Sequence, residues 1–103
     1  MAVKLSKDNF GAEILGGGIA VADFFSDSCI PCKKMSPIIA EFEEENADVR
    51  FGKLNVNFDA EVAEEYGVTA VPTLIFFKDG EEKARLTGTQ KKAAITEIIN
   101  NIK

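Results

Sequence analysis

Seven consecutive residues, Ile19-Ala20-Val21-Ala22-Asp23-Phe24-Phe25, are apolar with a single exception. A strand takes such an unbroken run when both of its faces are covered, as they are in a sheet flanked by helices. The exception, Asp23, is an acid embedded in a strand that reads as central. The next long pattern has another period. Met35, Ile38, Ile39 and Phe42 fall at i, i+3, i+4 and i+7, while Glu41, Glu43, Glu44 and Glu45 occupy other faces, which predicts an amphipathic helix from about Cys32. Pro31 suits the first turn of that helix, where its missing N–H removes nothing needed; Pro37 should break one backbone bond and kink it.

The remaining segments extend the alternation. Val3 to Leu5 predicts a short first strand, followed by a helix carrying Phe10, Ile14 and Leu15 and capped by Ser6 or Asp8; Gly16-Gly17-Gly18 stops it. Phe51 to Val56 reads as a strand, Ala60 to Tyr66 as a short helix closed by Gly67, and Thr73 to Lys78 as an apolar strand. Asp79-Gly80 is a hairpin signal, Glu81 to Leu86 can return antiparallel, and Ile95, Ile98, Ile99 and Ile102 mark the buried stripe of a last helix. The expected order is βαβαβαββα, an α/β chain with a central mixed sheet and helices on both faces.

With 103 residues the chain suits one domain, 1–103. A net charge of -5 offers no basic footprint, so neither nucleic acid nor an anionic membrane surface is an expected partner. Met1 to Asp8 lacks the apolar stretch of a signal peptide, and no later run approaches spanning length. A cytoplasmic location is therefore expected, and the chain is expected to be a monomer.

Cys29 and Cys32 are the only cysteines, in the run Ser28-Cys29-Ile30-Pro31-Cys32-Lys33-Lys34 where strand gives way to helix. Bridging so short a loop would contribute only about 2 kcal/mol by chain entropy, a poor staple. A metal site is the second reading, but tetrahedral zinc needs a fuller ligand set, and the chain has no histidine and no third cysteine. A reversible dithiol is the third, and it suits a cytosolic cysteine pair. At the helix start, unpaired N–H groups and the positive end of the macrodipole would favour a Cys29 thiolate, with Cys32 about one turn on.

Taken together, Asp23, Cys29-Ile30-Pro31-Cys32, Lys53 and Val71-Pro72-Thr73 give a chain that resembles the thioredoxin family over essentially its whole length. The likeness extends to Phe24, Lys53-Leu54-Asn55-Val56, Phe77-Lys78-Asp79-Gly80 and Gly88. It implies the thioredoxin fold and thiol–disulfide exchange, with Cys29 attacking and Cys32 resolving the mixed disulfide. It also implies Asp23 as a buried acid that exchanges a proton with Cys32, tuned by Lys53. Residue statistics favour a trans Val71-Pro72 bond, since cis accounts for about 5–6% of X-Pro bonds; the resemblance implies cis, with Pro72 facing the cysteines and Val71 offering its backbone to an extended substrate. Ser28, Ile30, Pro31, Val71, Pro72 and Gly88 would then form a substrate-binding rim.

Three positions depart from the family. Ser28 replaces the tryptophan beside the first cysteine, Ile30 replaces a glycine, and Phe25 stands where an earlier tryptophan is usual, so the chain has none. No reacting group is lost; partner choice and redox poise are what change. Such sites are similar to those of thioredoxins from anaerobic bacteria that ferment amino acids. The resemblance implies a protein-disulfide reductase, an electron carrier as much as an enzyme. It would have no bound cofactor beyond a Cys29-Cys32 disulfide, protein disulfides as substrates, and a flavin-dependent thioredoxin reductase to recharge it. Two alternatives are a dedicated electron donor to one reductase of anaerobic metabolism and a non-catalytic binding module.

Overall fold

The computed structural model describes residues 3–103; Met1 and Ala2, which open both the segment read for an export signal and the expected 1–103 domain, lie outside the described residues. The elements follow the expected order: β1 (Val3–Leu5), α1 (Phe10–Ile14), β2 (Ile19–Phe25), α2 (Ile30–Glu45), β3 (Arg50–Asn55), α3 (Ala60–Glu65), β4 (Thr73–Lys78), β5 (Glu81–Thr87) and α4 (Lys92–Ile102). The sheet runs β1-β3-β2-β4-β5. β2 is parallel to β3, which is parallel to β1, whereas β4 is antiparallel to both β2 and β5.

Strand alternation sorts the side chains into two layers. Ala20, Ala22 and Phe24 of β2 join Phe10, Ile14, Leu54, Val62, Ile75 and Phe77 in the core beneath α1 and α3. Val21 joins Met35, Ile39, Phe42, Phe51, Leu74, Phe76, Ile95 and Ile99 beneath α2 and α4. Burying each Val, Leu, Ile, Phe or Met side chain among these contributes about 1.5–3 kcal/mol. By the same period of two, Asp23 falls on the Val21 face, the one covered by α2. Lys53, two residues after Phe51, shares that face on the neighbouring strand. The anomalous acid is thereby aimed at the helix that carries the cysteines.

Local chemistry shifts some boundaries. Neither Ser6 nor Asp8 caps α1. Asn9 stands at the cap position without a side-chain cap bond, because its amide turns back: Oδ1 accepts from the Ser6 N–H (2.7 Å) and Nδ2 donates to the Lys4 carbonyl (2.9 Å). Leu15 lies beyond the helix and is exposed, and β3 begins one residue early, at Arg50. The helix α2 continues through Pro37. Asp79 (φ 50°) and Gly80 (φ 85°) are both left-handed, as a type I′ hairpin turn requires. Asp79 also clasps the loop before β2: its N–H donates to the Gly18 carbonyl and its Oδ1 accepts from the Gly18 N–H, both at 2.9 Å.

Candidate active site

β2 and β3 run toward the same edge of the sheet, Phe25 paired with Asn55, and β4 starts there, Thr73 paired with Phe24. Loops at the carboxyl ends of parallel strands are where such sheets place their sites. Here that edge receives Ser26 to Cys29, the Val71-Pro72 segment and Gly88, which follows Thr87, the partner of Thr73.

Cys29 and Cys32 form a disulfide with Cα atoms 5.2 Å apart. Cys29 is the N-cap of α2; its backbone is extended and its Sγ accepts from the Cys32 N–H at 3.1 Å. A sulfur in the capping position takes up one of the orphan amides of the helix start, so negative charge on it would be stabilised there. Cys29 keeps 8% of its surface exposed, while Ser28, Ile30 and Pro31 around it are exposed, Ile30 by 66%. The Val71-Pro72 bond is cis, as the family likeness implies and residue statistics do not. Gly88, at φ 88°, donates its N–H to the Pro72 carbonyl at 2.8 Å, tying the loop after β5 to the proline loop.

Asp23 is 5% exposed, and its Oδ1 has no hydrogen-bond partner. Burial pushes its carboxyl up from 3.8 to about 6, the Lys53 charge offsetting part of the rise. Lys53 pairs with Asp23 in register but donates its Nζ to Ser36 Oγ at 3.2 Å, with the Phe25 ring centroid 5.9 Å away. The Ser36 hydroxyl donates to the Cys32 carbonyl at 3.4 Å. Asp23, Cys32, Ser36 and Lys53 line one small cleft of about 150 Å³, room for a few waters. Ser36 escaped the sequence reading, although its position one turn after Cys32 places it on the same helical face. Phe58, 76% exposed, also went unnoticed; with Phe25, Lys53 and Asn55 it lines an adjoining groove. Among the described residues no three His, Cys, Asp or Glu side chains cluster as metal ligands would, and no helix is long and apolar enough to cross a membrane.

A sulfur pair closed into a bridge at a helix start, carried on this frame, defines a thiol–disulfide oxidoreductase. Comparison with known proteins narrows the class. The thioredoxin family model matches residues 1–101. The chain is 38% identical over 100 residues to the thioredoxin of Chlamydia caviae, covering 97% of each, and 36% identical over 99 residues to that of Bacillus subtilis, covering 95% of this chain and 94% of the relative. A mutant thioredoxin from Halobacterium salinarum superposes with a TM-score of 0.91 at 28% identity, over 97% of this chain and 88% of its own. The chain belongs to the thioredoxin family. Proteins of this family need no separate cofactor, their redox-active disulfide being part of the chain; they act on disulfide substrates and typically draw on a thioredoxin reductase.

Proposed function

We propose that the chain is a general protein-disulfide reductase and electron carrier in which Cys29 attacks and Cys32 resolves. The observation that carries the assignment is Cys29 Sγ in the capping position of α2, accepting the Cys32 N–H. In the reduced protein the Cys29 thiolate attacks one sulfur of a substrate disulfide. That S–S bond breaks, a mixed disulfide forms, and the departing sulfur takes up a proton. Cys32 then loses its proton to Asp23 and attacks Cys29 Sγ, releasing the second substrate sulfur. Two electrons pass to the substrate, and the Cys29-Cys32 disulfide remains. A flavoenzyme reductase supplies two electrons to reopen it, and one proton restores the Cys32 thiol beside the Cys29 thiolate.

The positions of the surrounding residues support a role for each. Asp23, buried and unpartnered in the cleft it shares with Cys32, is the proton acceptor. Lys53 tunes it. Ser28, Ile30 and Pro31 on one side and Val71, Pro72 and Gly88 on the other form the rim against which an extended substrate segment docks. The protein works as a cytoplasmic monomer.

Reduced protein should reduce insulin disulfides; Cys29→Ser should abolish turnover, and Cys32→Ser should accumulate mixed disulfides detectable by mass spectrometry. Undiminished turnover by Cys29→Ser would reject the assignment. The exposed Ile30 beside the reactive sulfur favours a second reading, a dedicated donor to one partner reductase. Equal rates toward many unrelated disulfides would remove it.

A further inference from the structure

Lys53 stands opposite Asp23 in the β2–β3 ladder and on the same sheet face, yet its ammonium is engaged elsewhere. Nζ donates to Ser36 Oγ, and the same hydroxyl donates onward to the Cys32 carbonyl. The Phe25 ring is a second anchor for the cation. Asp23 Oδ1 is left without a partner in the cleft all these groups share. A buried carboxylate left without its cation is costly when ionised, so a lysine on the adjacent strand that does not pair with it points to a group that diverts the ammonium.

We propose that Ser36 is a positioning residue: by anchoring Lys53 to the Cys32 turn of α2, it holds the ammonium off Asp23 and keeps the carboxyl unpaired beside the resolving cysteine. Other charged groups reach this cleft from each element around it: Asp27 from the loop after β2 and Lys33 from α2. Asp27 Oδ1 accepts from Asn55 Nδ2 at 3.0 Å and is exposed. Lys33 is exposed as well. The Lys53 charge, by contrast, lowers the Asp23 carboxyl against the rise that burial causes. Without the Ser36 hydroxyl, the ammonium is free to turn toward Asp23 and favour its ionised form.

The consequence for catalysis rests on the reading of Asp23 as proton acceptor, and the test separates the two. In the oxidised protein, where neither cysteine titrates, the Asp23 carboxyl carbon is followed by NMR against pH. Ser36→Ala should lower the midpoint by about one pH unit, Ser36→Thr should restore it, and Ser36→Ala should cause no further change in a Lys53→Gln background. An unchanged or raised midpoint in Ser36→Ala, or the same fall without Lys53, overturns the proposal. The pH profile of insulin reduction is then measured on the same variants. A profile that stays put while the Asp23 midpoint falls leaves Ser36 in its role and rejects Asp23 as the proton acceptor.

Discussion

Asp23 has a cost that depends on pH. Its native carboxyl holds a proton up to about 6, whereas the ordinary value is 3.8, so the folded state binds that proton more tightly than the unfolded chain does. Stability therefore falls as pH rises from about 4 to about 6, and the whole penalty, on the order of 3 kcal/mol, is present above that window. Asp23→Asn, which mimics the protonated acid, should gain up to ~3 kcal/mol over the parent at pH 7.5 and nothing at pH 3.5; urea denaturation at the two values checks this. Equal gains at both would mean that charge burial is not the cause. The acid was legible in the sequence because a charge in an apolar run has few neutral explanations. Ser36 was not, since a serine on a helix surface carries no pattern, and its partner comes from a strand seventeen residues away.

At the scale of elements, close packing outweighs surface charge. Gly52 lies in β3 opposite Val3, and a Cβ there would come within 2.5 Å of the Leu5 side chain. Gly52→Ala should force β1 outward and cost about 1–3 kcal/mol, with loss of amide protection in β1 in hydrogen exchange. The helix α4 poses a similar contrast. Lys92 bonds to Glu41 (2.9 Å) and to Glu45 of α2 at the surface, while Ile99 is fully buried. Ile99→Ala should cost about 2–5 kcal/mol, whereas Lys92→Ala should leave the denaturation midpoint almost unmoved, exposed pairs contributing little. Apolar periodicity made both helices readable. It could not place the start of α1, because Asn9 forms a local turn with Ser6 and Lys4 that competes with capping.

For the molecule as a whole, the bridge is a minor contributor to stability. A loop as short as Cys29 to Cys32 gives about 2 kcal/mol of chain-entropy stabilisation, so reduction with dithiothreitol should lower the unfolding free energy by about that amount and leave the fold intact. A drop several times larger would make the bridge a structural staple. The two-layer frame itself was legible from alternating periods. The sheet order β1-β3-β2-β4-β5 was not, since periodicity gives each element its type but not its neighbour. Nor were the residues themselves enough to give the cis Val71-Pro72 bond, which only the family likeness implied.

In the proposed mechanism the Cys29 sulfur that caps α2 is also the atom whose charge changes during turnover. The Cys32 amide, bonded to it at 3.1 Å, is therefore a built-in reporter. Its proton resonance should move as that sulfur passes from bridge to thiolate to mixed disulfide, so one backbone signal would follow the redox cycle without a label, an added chromophore or a second protein.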